Sequence, residues 1–470
     1  MGGLRGTLSR VNQRGYDYDI EQVPLDDRKS TASLSAIWLG YTVQFATIMV
    51  GGIVGLGMSF KSAVAAIVLG NAILALLSIT TGLIGRRLGL GFSMLTRYPF
   101  GHRGSIIPSV FCGIVQLGWL TFCYWIFANA FQNMFQLFNP ELARWGFFVG
   151  VLVSTLLTVV PLFFGFEGPK WVSWISIPLI VLPLLYVMSV LVSNVGGMQV
   201  ILNTYHPPQP ISFVKGVTLV MGAWLFGAIT SPDFVRLGKT DAAAYIAPPI
   251  GLIIGESLVL ILGALTAAST FGATWNPVEA STKLGAGASF AVLLLYLAAM
   301  WATNVPCAWS ASLQFANAFQ QPKTVFAISL GLIAPFLAIL IQYSVGALAA
   351  IDAFIGFLSS VIPPVGGILV AEYWFIRKQK LPEIMQVKRR WNPVAYLSWF
   401  LAAAINYWTN QAATQAGPSV SFEYGLPGLN GFILAIILYW ILNSLAVRAK
   451  VPWADYDTDE KLHPFFTSGR

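Results

Sequence analysis

Charged side chains are scarce in this 470-residue chain: Asp, Glu, Lys and Arg make up 10% of it, against roughly 25% in soluble domains. So few charges cannot cover a water-facing surface, and a soluble globular fold is excluded. Cysteine is nearly absent. Cys112, Cys123 and Cys307 lie in apolar runs without C-x-x-C spacing, which implies neither disulfide nor metal site and leaves them as small buried hydrophobes. The three histidines, His102, His206 and His463, are too scattered to form a metal cluster. No G-x-x-x-x-G-K-[ST] loop is present to drive a pump with nucleotide. The first 30 residues hold Arg5, Arg10, Arg14, Asp17, Asp19, Glu21, Asp26 and Asp27 around no apolar core, so no cleavable signal peptide is expected. The ten-residue alternation of an outer-membrane barrel is missing as well.

What the chain has is apolar length. Hydrophobic residues reach 56%, and several uncharged runs exceed the ~18 residues that mark a membrane span. The pattern predicts an all-α integral membrane protein with twelve spans, at 33–57, 62–85, 105–135, 146–165, 171–195, 211–231, 243–267, 286–312, 325–343, 346–372, 394–412 and 430–448. On this topology four of the 27 Lys and Arg (Lys61, Arg144, Lys215, Lys283) fall on one side and the rest on the other. That asymmetry sets the basic side, with both termini, in the cytoplasm. The net charge of +8 is then a topology signal, and no nucleic-acid partner is expected.

Three stretches are expected to depart from regular helix. In 211–240, ISFVKGVTLVMGAWLFGAITSPDFVRLGKT, Gly222, Gly227 and Pro232 weaken a span-length helix from its middle onward, beside Trp224. Broken helices inside a bilayer leave backbone groups that only protein, water or a ligand can satisfy, and transporters use such breaks as binding sites. This stretch makes the chain a small-molecule carrier in expectation. The first span holds Gly40, Gly51, Gly52, Gly55 and Gly57; the Gly51/Gly55 pair reads as close helix packing or as a second unwound segment. In the tenth, Pro363–Pro364 and Gly366–Gly367 are expected to interrupt the helix, as a hinge or as a static kink.

Four collinear motifs carry a resemblance. RYPFGHRGSIIPS (97–109), SPDFVRLGK (231–239), MWATN with SLQFAN (300–304 and 312–317) and IPPVGGILVAEYW (362–374) resemble the nucleobase–cation symporters, the cytosine permease branch above all. The resemblance implies a LeuT-like fold of two inverted five-helix repeats, 33–200 and 201–374, with discontinuous helices 1 and 6. They would be flanked by a cytosolic tail (1–32), a basic loop with two further helices (375–449) and a second tail (450–470). It implies a secondary active symporter of the cell membrane, importing a nucleobase or related flat heterocycle by alternating access, with no enzymatic activity, no cofactor and no obligate protein partner. Allantoin, hydantoin, thiamine precursors and pyridine derivatives are substrates of the same kind. A passive channel and an intramembrane enzyme are the rival classes.

Site residues follow from the same match. Gln116 and Trp119 are three apart on one helix face, either packed against a neighbouring helix or, as the resemblance implies, touching substrate. Trp224 is the aromatic residue at the sixth-helix break. Two aromatic faces can sandwich a planar ring, and an amide offers the donor and acceptor that match a nucleobase edge. Asn304 is the second amide; Ala223 and Phe226 shape the cavity where cytosine permeases carry smaller hydroxyl side chains, which speaks against cytosine itself. The coupling ion is Na+ or H+. For Na+ the resemblance supplies the backbone of Gln44, Thr47 and Ala299 and the hydroxyl of Thr303, while Ala302 stands where a further hydroxyl is common. Glu256 is an isolated carboxylate in an apolar span, either a proton carrier or a neutral acid bonded to a neighbour. Asp352 is a pathway or gate candidate. Asp233 and Arg236, at i and i+3, are expected to pair with each other or across to Arg97 or another loop, in a structural or gating latch at the cytoplasmic side.

Overall fold

The computed structural model describes residues 18–282, 285–344, 347–384, 387, 389–415 and 425–451. Helix α1 (Thr31–Thr42) starts where the Ser30 side chain accepts from the Ser33 N–H, and it ends at Val43. Helix α2 (Phe45–Gly57) follows after an extended Gln44 (φ −118°, ψ 150°), and the pair bends by 59°. The chain continues through α3 (Phe60–Leu88), α4 (Ile106–Phe138), α5 (Ala143–Leu162) and α6 (Glu167–Asn194). Next come α7 (Phe213–Ile229), the single turn α8 (Pro232–Val235) and α9 (Ala242–Pro249), which passes through a π-helical turn (Ile250–Glu256) into α10 (Ser257–Ser269). Helices α11 (Ala286–Phe319), α12 (Lys323–Tyr343), α13 (Ala347–Val370), α14 (Pro393–Gln415) and α15 (Leu429–Arg448) complete it.

Among the described residues, nine helices are long and apolar enough to cross a membrane, ten if the bent α1–α2 pair is one span. Large apolar side chains face outward, Leu182 at 67%, Phe290 at 68% and Phe400 at 71% exposure, as a lipid-facing belt requires. Helices α3 and α7 pack together, α2 lies along α10, and α1 rests on the π turn. Helices α4, α5, α11 and α12 form a second group, with α6 touching both α1 and α11. Helices α13, α14 and α15 pack on one another.

Glycine sets the closest of these contacts. A Cβ on Gly51 would fall 2.0 Å from the Leu260 carbonyl oxygen, one on Gly55 2.6 Å from the Ala264 Cα, and one on Gly263 2.1 Å from the Ile48 carbonyl oxygen. The Gly51/Gly55 spacing therefore serves close approach of α2 and α10. Gly51→Ala is expected to cost about 1–3 kcal/mol, the usual penalty for overpacking, and to lower the melting temperature in detergent.

Two expected interruptions are placed differently. Helix α7 runs unbroken through Gly222, Trp224 and Gly227 and ends only at Thr230–Ser231. A glycine costs a helix about 1 kcal/mol and is tolerated where packing needs it: a Cβ on Gly227 would meet the Trp224 ring at 2.2 Å. Pro232 ends the helix because it has no N–H to donate and stands at the start of α8, where none is needed. Helix α13 also continues through Pro363–Pro364. The Ser360 carbonyl, which loses its helical donor to Pro364, accepts from Asn406 Nδ2 on α14 at 3.0 Å instead. Gly366 and Gly367 admit Ile229 and the Phe432 backbone, a Cβ at Gly367 meeting the Phe432 oxygen at 2.2 Å.

Candidate functional site

Helices α1, α4 and α7 meet around one side chain, Tyr41, three residues before the extended Gln44. Its ring lies edge-on to Trp224 at 4.6 Å and 83°, and Trp38, one turn earlier, stands 6.1 Å from the same indole. Gln116 Nε2 donates to the Tyr41 hydroxyl at 3.3 Å, and that hydroxyl also lies 3.6 Å from Cys307 Sγ on α11. Gln44 Nε2 donates to the Tyr41 carbonyl at 3.3 Å. Gln116 and Trp224 are thus brought together through Tyr41. Trp119 is half-buried and its ring contact is with Phe122, at 6.3 Å and 68°.

The interior holds polar atoms with nothing to bond. Trp224 is 3% exposed, yet its indole N–H has no partner, and neither has that of Trp38. Asn304 donates through Nδ2 to Ser154 Oγ at 3.0 Å, while its carbonyl oxygen is unpaired. Stranding such a group costs about 1–3 kcal/mol, and the indoles keep a free donor and the amide a free acceptor. Ala223 and Phe226 are half-buried, and Gly222 beside them faces open space.

The residues assigned to a cation lie where α1 and α2 meet α11. Val43, Ile48, Ala299 and Ala302 share one apolar cluster. Thr303 Oγ1 donates to the Ala299 carbonyl at 2.9 Å, keeping its own lone pairs available, and the buried Thr47 hydroxyl has no partner. A hard cation takes oxygen ligands; the oxygens on offer here are those of Thr303, Ala299, Thr47 and the Gln44 carbonyl, and Ala302 supplies none from its side chain. Glu256 is fully buried, and neither of its carboxyl oxygens has a hydrogen-bond partner. The Asp352 side chain lies outside the described residues.

Asp233 and Arg236 form a junction in which their charges act on each other while their hydrogen bonds go to further partners. Asp233 Oδ2 accepts from Ser310 Oγ and Gln314 Nε2 on α11, each at 2.7 Å, and Oδ1 accepts from the Phe92 N–H at 2.8 Å. Arg236 donates to the Asp233 carbonyl at 3.2 Å and to the Tyr18 carbonyl at 2.8 Å. Arg97 Nε donates to Asn317 Oδ1 at 2.9 Å, and burial lowers the Arg97 guanidinium to about 10. Asp233 is fully buried, and its hydrogen bonds come from neutral donors on α11 and the Phe92 turn, with the Arg236 charge nearby.

The segment before α1 crosses this junction as a strap. Asp19 Oδ2 accepts the Lys323 N–H that opens α12 at 3.0 Å; burial raises its carboxyl above the usual range, while the Lys323 N–H and Arg236 pull it back. Arg28 donates to the Val23 and Arg86 carbonyls. Lys29 bonds to Leu237 and Lys239 through its backbone, at 2.6 and 3.0 Å.

Long apolar helices packed around buried aromatic and amide groups define a multi-pass helical membrane protein. The chain belongs to the family of permeases for cytosine/purines, uracil, thiamine and allantoin, whose model matches residues 22–427. It is 29% identical to the cytosine permease of Escherichia coli (strain K12) over 91% of this chain and 94% of that one. It is 24% identical to the hydantoin permease of Microbacterium maritypicum over 92% and 90%. Its fold is that of Mhp1, a nucleobase-cation-symport-1 family transporter, in a closed conformation with bromovinylhydantoin bound. There the TM-score is 0.76 at 20% identity, over 93% of this chain and 96% of that one. The family read from the four motifs is thereby established. Tyr41 and Trp38 were missed, and so were Ser310 and Gln314; the one signal for Tyr41 was its place just before Gln44 in a glycine-rich span.

Proposed function

We propose that this permease is a secondary active symporter of the cell membrane, with both termini in the cytoplasm, that imports a nucleobase or related flat heterocycle by alternating access, driven by Na+ or H+. The observation that carries this reading is the buried indole N–H of Trp224, left without a partner beside Tyr41 and Gln116, with the unpaired carbonyl of Asn304 as a second buried polar group. A planar ring stacked on Trp224 would contribute ~1–3 kcal/mol per aromatic face, and its heteroatoms would meet the free indole and amide groups. Trp119, Ala223 and Phe226, half-buried against the same core, are read as its borders. The methyl of Ala223 and the phenyl of Phe226 supply no hydroxyl, which favours a heterocycle with fewer polar edge groups than cytosine. The 59° bend of α1 on α2, and the end of α7 at Thr230, support a reading in which two inverted repeats rock about these points.

The test is uptake into proteoliposomes of labelled pyrimidines, purines, hydantoins and allantoin under imposed Na+ or proton gradients. Saturable accumulation above equilibrium supports a symporter; downhill flux alone sinks it. If Na+ occupies the site beside Gln44, Thr47, Ala299 and Thr303, Thr303→Ala is expected to raise the Na+ concentration for half-maximal uptake about tenfold, the equivalent of ~1.4 kcal/mol. A sodium titration of initial rates reads this directly.

A further inference from the structure

Glu256 ends the π-helical turn Ile250–Glu256. Such turns insert a residue into a helix, re-aim its side chains and recur at functional sites. Here the carboxyl is fully buried and neither oxygen meets a donor. Helices α1, α3, α9 and α10 pack against the turn, and their titratable groups are Tyr41, Lys61, Arg86, Arg87 and Tyr245. None of these bonds to Glu256. Arg86 and Arg87 are engaged by Asp241, Tyr41 by Gln116 and Cys307, and Tyr245 is exposed. A negative charge at Glu256 would have neither a counter-ion nor a hydrogen-bond donor, so this packed arrangement requires the carboxyl to hold a proton.

The turn that carries Glu256 is also the bed of α1. A Cβ on Gly255 would fall 2.6 Å from Thr42 Oγ1, and one on Gly251 2.9 Å from the Trp38 carbonyl oxygen. Thr42 Oγ1 donates to the Gly251 carbonyl at 2.8 Å. The same short helix presents Trp38 and Tyr41 to Trp224. On the opposite side, Asn71 Nδ2 donates to Ser257 Oγ at 2.9 Å, while its carbonyl oxygen is unpaired, so a further unpaired acceptor sits next to the turn. The turn that ends at Glu256 is thus the surface on which α1, with its Trp38 and Tyr41, is seated.

We propose that Glu256 is the proton-coupling carboxyl of this carrier, protonated when α1 is seated on the π turn and deprotonated to water when α1 lifts from it. The inference rests on the symport reading above and names its ion. One O–H bond forms per cycle on a carboxylate oxygen, from a proton that enters with the substrate, and the same bond breaks on the cytoplasmic side, where the proton leaves to water. No other bond changes.

The experiment uses the full chain in sodium-free proteoliposomes enclosing a pH-sensitive dye. The wild type is expected to acidify the lumen when an accepted heterocycle is added, and to accumulate that heterocycle under an inside-alkaline gradient. Glu256→Gln, isosteric and permanently neutral, is expected to lose both by at least tenfold while exchanging labelled for unlabelled substrate within about twofold of wild type. Gradient-driven accumulation by Glu256→Gln at the wild-type level overturns the proposal, and so does a wild type that carries substrate but no protons. Should the variant fail to fold, an apolar carbodiimide on the wild type, mapped by mass spectrometry, decides. Proton flux lost in step with modification of Glu256 supports the proposal, and flux that persists with Glu256 modified, or is lost with it unmodified, refutes it. A wild type that neither binds nor exchanges any heterocycle brings down the symport reading itself, and this one with it.

Discussion

Asp233→Ala is expected to lower stability by about 3–5 kcal/mol, the range for removing one partner from a buried charged network, and to abolish uptake. The carboxylate joins three elements by three bonds, to the Phe92 N–H, Ser310 Oγ and Gln314 Nε2, and each donor is buried with it. Alanine leaves all three unsatisfied at ~1–3 kcal/mol apiece, less whatever local relaxation recovers. Asp233→Asn should be far milder. Its carbonyl can still accept from Phe92, its NH2 can donate to the Ser310 hydroxyl, and Gln314, whose carbonyl oxygen is unpaired in the native arrangement, can turn its amide to accept. Thermal unfolding in detergent checks the pair. Equal losses for alanine and asparagine would show that charge, and not hydrogen-bond number, holds the junction.

Trp224→Ala is expected to weaken substrate binding by about 10- to 100-fold, the equivalent of one lost stacking face, and to cost ~3–5 kcal/mol of stability as a large-to-small core change. Trp224→Phe separates the two effects. It keeps a ring against Tyr41 and over Gly227, so most of the stability should return. It removes the indole N–H that has no partner in the protein, so any binding deficit that remains measures a bond from that N–H to the substrate. Binding by scintillation proximity and melting by intrinsic fluorescence give the two numbers. Unchanged affinity in Trp224→Ala would end the assignment of this indole to the substrate.

The helical frame was legible from apolar length alone. The span read at 62–85 is Phe60–Leu88, that at 171–195 is Glu167–Asn194, and that at 430–448 is Leu429–Arg448, because an apolar run bounded by charge or turn residues sets its own ends. The helix breaks were less legible. Gly222 and Gly227 look like weak points in one dimension, but the Trp224 ring that lies over Gly227 is a contact no local pattern announces. The same holds for Pro363–Pro364, where Asn406 from another helix repairs the freed Ser360 carbonyl. At the site, Gln116, Trp224 and Asn304 stood out as polar or amphipathic groups in apolar spans. Tyr41 did not, since a tyrosine near a helix end is ordinary until its neighbours 75 residues along the chain are known. Asp233 was legible as important but not in its partners, because Ser310 and Gln314 approach it from α11, whose register against α8 is a property of the folded bundle.

The backbone bonds that join Lys29 to Leu237 and Lys239 have a consequence for coupling. They stitch the entrance of α1 to the exit of α8, so the two segments that lead to the candidate site from one end of the bundle are fastened to each other. Motion of one must carry the other as a rigid body, which disfavours conformations in which a single half-helix yields and solute or ion slips through alone. A low leak, with substrate and ion crossing in fixed ratio, is the behaviour such a seam would confer.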